Sequence, residues 1–214
     1  MLPGAEELAP GFWRWEAFHE EWNHDVACVA LDAEGALLLV DPLAPPGLRD
    51  ARRFWKALDH AVGDRPVDVI VTLHYHRRSA VAVVGRCRGT KGAQLWAPVG
   101  SVKRLGAAVD RPFSPGDALP PGVEAFASGR ADEVVLWLPG PRAVVAGDVL
   151  LGGERKPLRV CPASWLPRAA SRAGVARALA PLTKLPVELV VPMHGPAVTK
   201  DSAAALAAAL HEAR

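Results

Sequence analysis

The sequence predicts an α/β layered fold, and three observations carry the prediction. Apolar runs of strand length alternate with amphipathic stretches of helical period along the chain. Half of the 214 residues are hydrophobic, enough for one large core. Polar residues fit for metal binding or acid–base chemistry, namely Asp41, His74, His76, Asp148 and His194, each fall where an apolar strand gives way to a turn.

Taken in order, Gly11 to Trp22 concentrates Phe12, Trp13, Trp15, Phe18 and Trp22. Trp13 and Trp15 alternate with Arg14 and Glu16, the pattern of an edge strand. The other aromatics seal a core edge, wall a pocket or make an oligomer contact. The expected organisation is a single domain over 1–214, with the aromatic segment 1–24 packed on it. Val26 to Leu31 and Ala36 to Val40 flank Asp32-Ala-Glu-Gly35, a hairpin turn by composition. Gly47 to Val62 is a helix, with Leu48, Ala51, Phe54, Trp55, Leu58 and Val62 on its apolar face.

Val67 to Ser79 reads Val-Asp-Val-Ile-Val-Thr-Leu-His-Tyr-His-Arg-Arg-Ser, a buried strand that ends within its last residues. In extended geometry His74 and His76 project from one face, where their nitrogens can converge on one ion, while Tyr75 points away into packing. Ser79 is placed to cap a helix over Ser79 to Arg86. Gln94 to Ala97 reads as a strand, Val99 to Leu105 as a short helix, and the proline-rich Arg111 to Gly122 as a loop. Val123 to Ala127, Glu133 to Leu138 and Ala143 to Ala146 are strands, the last ending at Gly147-Asp148.

Leu151 to Pro167 shows no period and is expected to be a surface loop, with Cys161 buried and Trp165 packed. Arg168 to Leu182 is a helix, and Val187 to Val191 a strand ending in Pro192-Met-His194-Gly195. Asp201 to Ala213 is a closing helix capped by Asp201 or Ser202.

Composition excludes several classes of function. The 25 basic and 23 acidic residues are scattered, which argues against nucleic-acid and membrane partners. Cys28, Cys87 and Cys161 are far apart with no Cys-x-x-Cys, so neither a disulfide framework nor a zinc knuckle is expected. With no basic n-region and apolar run at its start and no long apolar span, the chain reads as cytoplasmic. His24 reads as a surface residue.

Thr72-Leu-His74-Tyr-His76-Arg-Arg78-Ser79 resembles the first metal motif of the metallo-β-lactamase superfamily of hydrolases, Thr-x-His-x-His-x-Asp-His. Ala146-Gly147-Asp148 is similar to the Gly-Asp of its bridging ligand, Met193-His194-Gly195 to its last histidine turn, and Val40-Asp41-Pro42 to its early strand end. The resemblance runs from about Val26 to Ala213 and implies a four-layer αββα sandwich. It also implies His74, His76, Asp148 and His194 as metal ligands, with His76 and Asp148 catalytic.

The departures are equally informative. Arg78 and Ser79 replace the aspartate and histidine of the second metal, and Arg130, in Ser128-Gly129-Arg130-Ala131, stands where the family has a third histidine. Arginine is always charged and offers no lone pair. At about 5 Å a guanidinium repels a divalent ion by several kcal/mol even at an effective dielectric near 20. The expectation is that Arg78 and Arg130 pair with Asp148 and Asp41 in place of the metal. Metal-dependent hydrolysis is then reduced or lost, and Arg78, Arg130, Ser79 and Asp41 line a pocket for a small, anionic ligand. The alternative is one zinc, iron or manganese ion on the four remaining ligands, cleaving an ester, thioester or phosphoester. In either case the partner is a small molecule and the chain a monomer or homodimer.

Overall fold

The structure, a computed structural model, describes every residue but Met1, Glu34 and Pro121, with backbone only for Thr90 and Lys91. In chain order the strands are β1 Glu6–Ala9, β2 Phe12–His19, β3 His24–Ala33, β4 Ala36–Val40, β5 Val67–Ile70, β6 Ala93–Pro98 and β7 Arg111–Phe113. They continue as β8 Glu124–Ala127, β9 Val134–Leu138, β10 Ala143–Ala146, β11 Leu150–Gly152, β12 Leu158–Val160 and β13 Leu189–Pro192. The helices are α1 Leu48–Val62, α2 Ala80–Lys91, α3 Val99–Leu105, α4 Arg172–Leu179 and α5 Ser202–Glu212. Two compact units result, Met1–Ala97 with Val102–Pro112, and Pro98–Ser101 with Phe113–Arg214.

The first unit is a seven-stranded sheet in sequential order, β1 to β7. Strands β1 to β4 form an antiparallel meander, whereas β4, β5 and β6 run parallel because α1 and α2 carry the chain back between them. The apolar face of α1 buries Phe54, Leu58 and Val62, four residues apart, against Trp15, Leu37, Leu39, Val67 and Val69 of the sheet. Leu48 departs from the expected face and is 82% exposed, because the first turn projects beyond the sheet. The aromatic strand is not an edge: the short, glutamate-bearing β1 pairs outside it and takes that exposed position.

The second unit is a four-stranded sheet in the order β13-β10-β9-β8, with β10 parallel to β13 and antiparallel to β9. Val175, Ala176 and Leu179 of α4 and Leu206, Ala209 and Leu210 of α5 share one core with it. The expected surface loop from Leu151 is instead the hairpin β11–β12, which buries Leu150, Leu151, Leu158, Val160 and Cys161 in that core. Its strands are three residues each, too short to show a period in the sequence.

Expected caps are put to other uses. Ser79 occupies the position before α2, but its hydroxyl accepts the N–H of Ala44 at 3.0 Å. Ser202 donates to the carbonyls of Glu188 and Val198, and Asp201 makes no side-chain cap. Helix α4 starts later than its sequence pattern suggests, where Ser171 accepts the N–H of Gly174 at 3.0 Å. Among the described residues no helix is long and apolar enough to cross a membrane, and no disulfide joins the three buried cysteines.

Phe54 is 1% exposed and lies 6.1 Å from the Trp15 ring. Phe54→Ala is expected to lower stability by about 3–5 kcal/mol, read as a shift of the chemical denaturation midpoint.

Candidate functional site

Each unit carries a polar cluster where its parallel strands end. In the first unit, pairing Val40 of β4 with Ile70 of β5 brings Asp41 beside Thr72. Asp41 is fully buried. One carboxylate oxygen accepts the Thr72 N–H at 2.8 Å; the other accepts the Thr72 hydroxyl at 2.6 Å and faces His76 Nδ1 at 2.7 Å. A proton on Nδ1 satisfies that contact.

The segment that follows does not extend the strand. His74–Arg77 forms a 3-10 segment kinked at His76 (φ −85°, ψ 20°), so His74 and His76 do not share a face as extended geometry predicts. His76 is fully buried, while half-buried His74 has Arg104 Nη1 at 2.9 Å from its Nε2. A guanidinium can only donate, so this bond occupies the lone pair a metal would need. Tyr75, expected in packing, is 53% exposed and leans on the His74 ring. The turn leaves Tyr75 no core to face.

Arg78 has φ 37° and points its guanidinium inward. Its Nη1 donates to the carbonyls of Ala27 at 2.7 Å and Asp41 at 3.0 Å, so the expected pairing with the Asp41 carboxylate does not form. That carboxylate is already engaged by Thr72 and His76. Trp22, in the turn between β2 and β3, covers Arg78 with its ring centre 5.8 Å from Cζ. His19 stacks on Trp22 at 4.0 Å. A cavity of about 620 Å³ opens here, walled by Trp22, His74, Tyr75, Arg77, Arg78 and Ser79. Burial pushes the Cys28 thiol beneath it up to about 11, leaving it inert at neutral pH.

In the second unit, Asp148 follows β10 and His194 follows β13, which pair in parallel, and the His194 Nε2 lies 3.1 Å from Asp148 Oδ1. Buried Glu133, just before β9, receives the N–H groups of Asp148 and Val149 at 2.8 and 2.9 Å and so fixes the turn. Arg130 is buried among three carboxylates, with Asp132 at 3.2 Å, Glu133 at 3.3 Å and Asp148 at 3.7 Å. Desolvation opposes its charge, but these neighbours outweigh it and raise its pKa above the ordinary arginine value. Trp165, expected in packing, is 44% exposed and meets His194 edge-on at 5.7 Å. It lies in a short 3-10 turn after β12, outside the core.

Within the first unit the fold brings together Asp41, His76, Arg78 and Ser79 of the expected set; within the second it brings together Arg130, Asp148 and His194. Sequence reasoning overlooks Glu133, Arg104 and the covering role of Trp22. A glutamate opening a strand of five buried residues is the one signal that could have exposed the first of these.

The architecture is the metallo-β-lactamase fold. DIM-1 metallo-β-lactamase, in a structure exposed to ceftazidime, aligns over 100% of both chains with a TM-score of 0.71 and 13% identity. A metallo-β-lactamase from Pontibacter korlensis aligns over 97% of this chain and 98% of its own, at 0.70 and 16% identity. FIM-1 from Pseudomonas aeruginosa, in a mono-zinc form, aligns over 98% and 95%, at 0.68 and 14% identity. No family model matches the chain, and no curated protein matches it by sequence. The fold expected from the sequence motifs is thus the fold observed.

His19 is held below its ordinary pKa of 6.5, first by desolvation and then by the charge of Arg78. Its neutral form is therefore favoured on folding, so its contribution to stability is complete above pH 6.5 and is lost as pH falls below that value. NMR titration of the ring is expected to give a midpoint below 6.5, moved upward by Arg78→Gln.

Proposed function

We propose that this protein is a metallo-β-lactamase-fold module with reduced or no metal-dependent hydrolysis, whose inherited pocket binds a small anionic ligand. One observation carries the reading: Arg130, at the position of the third histidine, is buried against Asp148, and a salt-bridged guanidinium occupies the place of a ligand. The contact of Arg104 with His74 supports it, since a second ligand nitrogen is engaged by a cation. The residues present do not fit a pair of metal ions.

A second reading, a mononuclear hydrolase, has one observation in its favour. The Asp41–His76 pair is the arrangement that orients a metal-binding imidazole, its other nitrogen held by a carboxylate. The neighbour FIM-1 is described in a mono-zinc form. On this reading the ligands that the sequence motifs imply, His74, His76, Asp148 and His194, would hold a zinc, iron or manganese ion. Such an ion supplies Lewis-acid activation of a water for ester, thioester or phosphoester cleavage. The chain's own part is to orient His76 through Asp41 and Thr72. The chain is proposed to act in the cytoplasm as a single domain, monomeric or dimeric, on a small molecule.

Metal content by mass spectrometry, on untagged protein incubated with zinc, iron or manganese, separates the two readings. Sub-stoichiometric metal and no hydrolysis of ester, thioester and phosphoester substrates are expected. Stoichiometric metal that both His76→Ala and Asp148→Ala abolish would establish the mononuclear enzyme instead.

A further inference from the structure

We propose that the buried guanidinium of Arg78 is the receptor for a small ring-bearing oxyanion, a carboxylate or a phosphate monoester, and that Trp22 is the lid over it. The inference deepens the anion-binding reading above by naming its contact and its ligand class.

The argument begins with donors. Arginine has five N–H groups, and Nη1 of Arg78 directs its own to the carbonyls of Ala27 and Asp41. Nε and Nη2 are buried and have no hydrogen-bond partner among the described residues. A buried cation with unmet donors is costly, and a carbonyl offers only a partial charge in return. The carboxylate of Asp41 cannot help, because Thr72 and His76 occupy both of its oxygens.

The two unmet nitrogens form one edge of the guanidinium, the fork that accepts a carboxylate or phosphate through parallel bonds. Anchoring through Nη1 leaves that edge free and fixes its direction. The positive φ of 37° at a non-glycine residue shows that the backbone is held in a strained conformation here. A purely structural arginine linking two carbonyls needs neither the strain nor the unmet edge.

The surroundings select the rest of the ligand. Phe18 and Tyr75, 40% and 53% exposed, line the same cavity of about 620 Å³ as Arg78 and offer faces to an apolar or planar ring. Glu20 and Glu21 also line it and balance Arg77 and Arg78, so the cavity carries no net positive field for an extended polyanion and favours a small, singly headed anion on the Arg78 fork. Trp22 covers the guanidinium from the turn between β2 and β3, where its ring also stacks on His19 and His24 and lies 5.9 Å from the His76 ring, so opening the lid means breaking these ring contacts.

The test is nitrogen-15 NMR of the Arg78 Nε–H, assigned through bonds to its backbone in the unmodified protein. Benzoate and phenyl phosphate are expected to shift this signal saturably, and inorganic phosphate to bind more weakly. Arg78→Lys, which keeps the charge but loses the fork, is expected to weaken benzoate binding by roughly tenfold or more. Trp22→Ala is expected to accelerate exchange of the Arg78 Nε proton. An unmoved Arg78 signal at saturating concentrations of all three probes would overturn the receptor, equal affinity for inorganic phosphate would overturn the ring, and unchanged exchange in Trp22→Ala would overturn the lid. A protein that binds metal stoichiometrically yet shows the Arg78 shift keeps this inference and loses the metal-free reading. A metal-free protein whose Arg78 signal stays fixed does the reverse.

Discussion

The carboxylate of Asp41 is the constraint on which the first cluster depends. A fully buried carboxylate must be satisfied by donors, and this one has the backbone and hydroxyl of Thr72 and the imidazole of His76. Meeting that requirement locks the chain after β5, because Thr72 cannot leave without exposing the charge. It also sets the His76 tautomer and turns the ring. The backbone carbonyl of Asp41 then anchors Arg78, so one residue positions a histidine with its side chain and an arginine with its main chain. Asp41 adopts φ 49°, a left-handed conformation that aspartate tolerates better than most side chains.

The second cluster solves a different problem. Three carboxylates, those of Asp132, Glu133 and Asp148, surround the Arg130 guanidinium. One positive charge among three carboxylates leaves the group acidic overall, and the His194 Nε2 lies 3.1 Å from Asp148 at its edge. Glu133 is the part of this network that reaches furthest. Through Oε1 it holds two consecutive backbone N–H groups of the Gly147-Asp148 turn, and on its other side it faces Arg130. The buried charge of Arg130 is thereby met by the carboxylates around it.

How much was legible in the sequence follows from the range of each interaction. Strand and helix identities are local, so the alternation of elements and the positions of Asp41, Asp148 and His194 at strand ends emerged from pattern alone. The motif around His74 and His76 named the fold, yet its local geometry was misread because a 3-10 turn of four residues leaves no periodic trace. Arg104 is 30 residues from His74, and nothing in spacing announces that contact. Arg78 stands where the resembled motif has an aspartate, but its carbonyl partners leave no trace in the sequence, and the Asp41 carboxylate is already committed to nearer donors.

The scaffold around His194 is separate from the side chain it presents. The turn that carries His194 is held by backbone: the Gly152 N–H donates to the His194 carbonyl at 2.9 Å. A Cβ at Gly195, which has φ +86°, would lie 2.5 Å from the Gly152 carbonyl oxygen, and one at Gly152 would lie 2.2 Å from that of Pro196. Two glycines therefore press against each other where no side chain fits, and they place His194 whether or not a ligand is bound to it. Asp148 is placed in the same way by Glu133. A scaffold of this kind makes no demand on the ligand side chains themselves. Arg130, buried among three carboxylates, is likewise a charge the fold meets in place.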